Sequence, residues 1–219
     1  MKKSLTVLLS LLFISFQTAN AETVGFGITG AYNFVEVSGT ETTRTSNQLN
    51  SGDHSEEVLI PEIFGEFLLD NGGALGLSYV PTGNMGSKSR KDTNSEGDSG
   101  TYKAEAELEN VFQVYVDIPT PIGIAGNDIY AKAGLQFATI ATLESLNSGS
   151  TYPDEDVYGY SIGFGSKGDL AIGDGLYYKA EATYTDLGEY SAGDEAGTGN
   201  KVEADLESFA VKLSIGKKF

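Results

Sequence analysis

The stretch GFGITGAYNF, Gly25 to Phe34, decides the fold. Gly25, Gly27 and Gly30 satisfy G-x-G-x-x-G, the spacing of a dinucleotide-binding turn, and Gly163, Gly165 and Gly168 repeat it in GFGSKG. Such a turn needs a buried strand before it and a helix after it, because the phosphates sit on that helix's N-terminus. Neither flanks Gly25. Instead Val24, Phe26, Ile28, Gly30, Tyr32 and Phe34 alternate with Thr23, Gly25, Gly27, Thr29, Ala31 and Asn33. One set is large and apolar, the other small or polar, which is the period of a long half-apolar strand. The glycines belong to its small face, and those at 163–168 to the small face of another strand running into a turn.

Upstream, Met1 to Ala21 carries Lys2 and Lys3, an apolar run from Leu5 to Phe16, and Ala19-Asn20-Ala21. This is the layout of a secretory leader with a small-residue cleavage site, and the run is too short to remain as a membrane-spanning helix. Residues 1–21 are therefore expected to be removed, leaving 22–219 as one barrel domain. Export permits disulfides, yet the chain has no Cys. Without Lys2 and Lys3, 12 basic side chains face 31 acidic ones, a net charge of −19. A chain this acidic does not bind nucleic acid by neutralising phosphates.

The alternation recurs. Leu59, Ile63, Phe67 and Leu69 interleave with Glu62, Phe64, Glu66 and Leu68, less cleanly than elsewhere; Leu75, Leu77 and Tyr79 follow, then Leu108, Phe112, Val114, Val116 and Ile118 against Glu107, Glu109, Gln113 and Asp117. Four more apolar series run through Ile129–Phe137, Tyr158–Phe164, Leu176–Tyr184 and Phe209–Phe219. With the first stretch these make eight strands. Tight connections at 70–72, 119–127 and 168–175 alternate with long polar stretches at 38–57, 84–101, 144–156 and 187–204, which read as mobile loops. An even strand number with short turns at one end and long loops at the other is the plan of a transmembrane β-barrel. The small, Gly-rich face belongs inside, where an eight-stranded cylinder leaves little room, and the Phe, Tyr, Leu and Ile face belongs in lipid. The fold expected is all-β: an eight-stranded antiparallel up-and-down transmembrane β-barrel with short periplasmic turns and long extracellular loops.

Several inward positions carry charge. Glu62, Glu66, Glu109, Lys132, Lys179, Glu181 and Lys212 should meet at intermediate depth, and buried charges must pair. Four carboxylates and three ammoniums could form a layer that blocks a wide pore. Tyr32, Tyr79, Tyr158, Tyr160 and Tyr184 fall outward toward the loop ends, and Tyr178 and Phe219 outward at the opposite rim, as aromatic girdles do. A three-residue turn at Asp70–Gly72 sets Pro61 opposite Pro81; neither can donate to a ladder, so both should mark the upper membrane boundary.

Catalysis has little support. His54 and Ser55 are adjacent, but no preset nucleophile–base geometry is legible, and no catalytic residue, cofactor or resident metal is expected. The acidic groups at Asp154-Glu155-Asp156, Asp194-Glu195 and Glu203/Asp205 lack calcium-loop spacing and read as a solvated rim. They could gather divalent cations against lipopolysaccharide phosphates.

The leader, the eight strands and the terminal Phe219, preceded by Phe209, Val211, Leu213 and Ile215, resemble the small outer-membrane barrels of Gram-negative bacteria, the OmpA/OmpX-like superfamily. The resemblance implies residence in the outer membrane, contact with its lipid and lipopolysaccharide, and Phe219 as the signal read by the barrel-assembly machinery. Lys217 interrupts that signal's alternation. No peptidoglycan-binding domain is expected after Phe219. Three functions remain open at this stage: a structural or surface-interaction barrel closed by its charge pairs, a porin-like channel for small solutes, and, furthest off, a lipid-modifying enzyme.

Overall fold

The computed structural model describes residues 21–42, 49–81, 83–92, 100–124, 127–145, 152–195, 197 and 199–219. The expected leader, apart from Ala21, lies outside them. Nine strand segments follow in order: β1 (Ala21–Thr42), β2 (Leu49–Leu69), β3 (Ala74–Val80), β4 (Gly83–Asp92), β5 (Gly100–Ile124), β6 (Asn127–Ser145), β7 (Glu155–Asp169), β8 (Leu176–Gly193) and β9 (Lys201–Lys218). Each neighbouring pair is antiparallel, β1 pairs with β9, and β3 closes the ring against β5. β3 and β4 are two pieces of one stave broken after Val80, so the nine segments form the eight-stave barrel that the alternation predicts.

The orientation is apolar outward. Phe26, Ile28, Ile63, Phe67, Leu77, Val114, Ile162, Phe164, Leu213 and Ile215 are exposed on the outer wall, while Thr29, Glu66, Ser78, Gln113, Lys132, Ser161, Lys179, Thr183 and Ser214 are buried inside. In water an outer wall of this kind would be unfavourable; in lipid it is required. Gly25, Gly27 and Gly165 line the lumen because rings lie against them, whereas Gly30 faces lipid. A Cβ on Gly25 would overlap the Tyr177 phenol, one on Gly27 the Phe64 ring, and one on Gly165 the Tyr130 phenol.

The staves are longer than the membrane requires. β1 has 22 residues, β2 has 21 and β5 has 25, whereas about 10 tilted residues cross a bilayer. Much of the stretches expected as loops continues the barrel: Ser38–Thr42 pairs with Leu49–Asp53, and Ser191–Gly193 with Lys201–Glu203. At one level the two faces exchange character. On β1 the outward series Phe26, Ile28, Tyr32, Phe34 gives way to Glu36, and the inward series Gly27, Thr29, Asn33 gives way to Val35 and Val37. Glu36 stands opposite Glu207, and Glu207 opposite Asp186, so an outward acidic row marks that level across three staves. Above it the interior is an ordinary dry core of Val111, Ala138, Ile140, Tyr152, Val157, Leu187, Tyr190, Ala192 and Leu206.

Two bulges sit at this boundary. One separates Asp186 from Glu189 on β8, with Gly188 at φ +75°. The other separates Glu109 from Phe112 on β5, with Asn110 at φ 51°. Because an extra residue turns the following side chains to the opposite face, the second bulge corrects one expectation. Glu109 does not face the lumen. It pairs across the ladder with Thr139, whose hydroxyl bonds the exposed Asp156, and its neighbour Leu108 points inward instead.

Candidate functional site in the lumen

Lys179 occupies the centre of the membrane-level lumen. β8 carries it inward between Tyr177 and Glu181, which share its face by the two-residue period. Its Nζ lies 2.8 Å from Glu66 Oε2, 2.7 Å from Asp117 Oδ2 and 3.7 Å from Glu181 Oε1. Lys132, from β6, reaches Glu181 Oε1 at 2.8 Å and Asp117 Oδ1 at 3.4 Å. Higher up, Lys212 pairs with Glu62 Oε1 at 2.6 Å. Six of the seven expected lumen residues therefore converge, and Asp117 takes the place assigned to Glu109. The four carboxylates stand, and Lys167, across the ladder from Lys179 on the same face, joins the three ammoniums as a fourth.

Tyrosines complete the cluster. Tyr115 donates to Glu66 Oε2 at 2.8 Å, Tyr177 to Glu66 Oε1 at 2.9 Å, and Tyr130 to Glu181 Oε1 at 2.8 Å. Lys132 Nζ sits 3.5 Å from the Tyr115 ring centroid, and Lys179 Nζ 5.0 Å from the same centroid. Buried carboxylates that accept from both an ammonium and a phenol are held in one geometry, which is the condition under which a desolvated ion pair is tolerated. Around them Gln113 donates to Ser161, and Thr29 and Ser214 bond each other at 2.7 Å. Alternation sets Tyr130 and Tyr177 on the inward face beside Lys132 and Lys179, but the expected layer counts only charged groups, and Tyr115, in phase with Gln113 and Asp117, was not singled out. Their strand parity, shared with Asp117, Lys132 and Lys179, was the available signal.

The other candidates are dispersed. His54 and Ser55 are consecutive on β2 and point to opposite faces, and His54 Nε2 lies 3.2 Å from Glu56 Oε2. Asp156 faces out and accepts from Thr139, whereas Glu155 faces inward. Among the described residues no three His, Cys, Asp or Glu side chains converge as a metal site. At the long-loop rim Lys201 hydrogen-bonds Glu203 at 2.5 Å, and that bond, with the carboxylate's charge, raises the Lys201 pKa above its ordinary value. Tyr32 donates to Glu57, and Tyr79 stacks on Phe112 at 4.8 Å, both at the upper edge of the apolar belt. At the lower edge Phe219 packs edge-on against Phe26 at 6.3 Å and is tied to Val24 by backbone bonds in both directions. The β2–β3 ladder runs from Leu68↔Ala74 to Ile63↔Tyr79, in the register that sets Pro61 opposite Pro81, and stops two steps short of them.

Known outer-membrane proteins share this architecture. The outer membrane protein OprG of Pseudomonas aeruginosa superposes with a TM-score of 0.56 at 13% identity, over 88% of this chain and 96% of that one. The outer membrane protease OmpT of Escherichia coli superposes with a TM-score of 0.51 at 10% identity, over 92% of this chain and 98% of that one. At such identities the likeness is one of fold. No family model matches the chain, and no curated relative does.

Proposed function

We propose that this barrel of the outer-membrane type is a non-conducting structural and surface-interaction protein of a bacterial outer membrane, exported by its N-terminal leader. One observation carries the reading: Lys179, 2% exposed, is ringed by Glu66, Asp117 and Glu181 across the lumen. A cation so enclosed fills the axis that a porin keeps open, and the dry core above it adds a second closure. What remains for function is the outer surface and the acidic extension that rises beyond the lipid belt. Phe219 serves as the assembly signal, and the outward row Glu36–Glu207–Asp186 would meet lipopolysaccharide phosphates through divalent cations.

Planar-bilayer recording tests the closure. The wild-type barrel should show no large, stable openings, and Lys179→Ala should add only small, brief ones, because the dry core above remains as a second closure. Large steady openings of the wild type would instead support the porin-like reading and sink this one.

A further inference from the structure

Lys217 breaks the outward apolar series Phe209, Val211, Leu213, Ile215, Phe219 of the last stave, and it has no part in closing the lumen. It is exposed on the lipid-facing side, opposite Phe26 on β1 and Leu176 on β8. Its Nζ lies 5.5 Å from the Phe219 ring centroid. Among the described residues it makes no ion pair, whereas its neighbour Lys218 is bound to Asp169 at 2.5 Å. A cation at this short-turn rim reaches out to the level of the inner-leaflet headgroups, where phosphates lie.

From Lys217 a furrow climbs the outer wall along β8. Ala182 lies between Phe164 on β7 and Val211 on β9, and Ala180 between Ser166 and Leu213. Phe164 is 66% and Leu213 67% exposed, while both alanines are half-buried, so the side staves stand proud of the floor. The tyrosines of β8 lean aside: the Tyr178 ring lies over Gly168 on β7, and Tyr184 hydrogen-bonds Glu207 on β9. The rise from Leu176, level with Lys217, to Ala182 is about 20 Å along the stave. At a tilt of about 40° this is about 15 Å of depth, half of a hydrocarbon core of roughly 30 Å. The furrow is one leaflet deep, with the cation at its foot.

We infer that the outer wall at β8 and β9 holds one anionic glycerophospholipid of the inner leaflet. Its phosphate meets Lys217, and one acyl chain fills the furrow as far as Ala182. Lipid gives a chain no hydrophobic drive to leave its neighbours, so this lipid is selected by close packing on the alanine floor and by charge. One Lys at the membrane surface favours an anionic over a zwitterionic lipid roughly fivefold. Lipopolysaccharide phosphates belong at the other end of the staves, beside the acidic row Glu36–Glu207–Asp186, out of reach of Lys217. The site is independent of the closed lumen, since it lies wholly on the outside of the ring.

The chain has no Trp, so a single introduced Trp reports on one place of the wall. Phe164→Trp keeps a ring on the side of the furrow, and Leu77→Trp, exposed on the opposite side of the ring, is the control. In vesicles, quenching of Phe164→Trp by chain-brominated phosphatidylglycerol, in competition with phosphatidylcholine, should show a roughly fivefold preference for the anionic lipid. Leu77→Trp should show none. Adding Lys217→Gln should remove the preference at Phe164→Trp, and Lys217→Arg should keep it. Ala182→Leu, which fills the floor, should lower it below about twofold. No preference at Phe164→Trp, an equal preference at Leu77→Trp, or one that survives Lys217→Gln would overturn the site; one that survives Ala182→Leu would overturn the furrow. Should the Trp variants fail to fold, native mass spectrometry of the unsubstituted barrel decides. One retained phosphatidylglycerol, lost in Lys217→Gln, is expected, and equal retention of the two lipids would overturn the site.

Discussion

Below the Glu36–Glu207–Asp186 row the staves are apolar outside and polar inside; above it they are polar outside and apolar inside. The lower half is held by a charge cluster in which Lys179 touches three carboxylates. The upper half is held by Val111, Ile140, Leu187, Leu206 and their neighbours, as any water-soluble barrel would be. The solvent explains the inversion. Lipid supplies no hydrophobic drive to fill a lumen with apolar side chains, because the outer wall already satisfies it, so the interior must cohere through polar pairing. In water the drive returns, and the interior becomes dry.

Substitutions that treat the two halves as alike should expose the difference. Lys179→Met takes the ammonium from Glu66 and leaves Asp117 only Lys132 at 3.4 Å, and should cost about 3–5 kcal/mol in urea unfolding from lipid vesicles; a loss under about 1 kcal/mol would mean that the cluster is hydrated and weak. Leu206→Ala, in the upper core, should cost about 2–5 kcal/mol by lost burial and a residual cavity.

The outer faces can be separated by one charge each. Ile162→Lys, within the lipid-facing run, should destabilise by about 2–4 kcal/mol, whereas Glu207→Lys, above the belt, should stay within about 1 kcal/mol. Equal effects would remove the boundary drawn here. Gly165→Ala, whose new methyl meets the Tyr130 phenol, should cost about 1–3 kcal/mol. Gly30→Ala, on the lipid face with nothing within 4 Å of its added carbon, should be near neutral by the same unfolding measurement.

Strand parity made the membrane half legible. Gly25, Gly27 and Thr29 against Phe26 and Ile28 fixed both the strand and its orientation, and Lys132, Lys179 and Glu181 followed by counting in twos. The upper half was legible in principle. The apolar phase flips from Phe34 to Val35 and Val37, and, read toward the N-terminus of β9, from Phe209 to Leu206. Within polar stretches such a flip reads as the end of a strand unless the stave is known to continue.

What the sequence determined by itself is the period: which residues share a face, and that one face suits lipid. The tertiary structure decided where faces turn over and who meets whom. Glu109 left the lumen because a bulge at Asn110, specified by a local φ of 51° that no alternation reveals, rotated its strand. Asp117, Tyr115 and Tyr177 joined Lys179 and Glu66 because closure of the ring brings residues 49 to 113 positions apart onto one plane. Periodicity is a property of one strand; register and closure belong to the barrel.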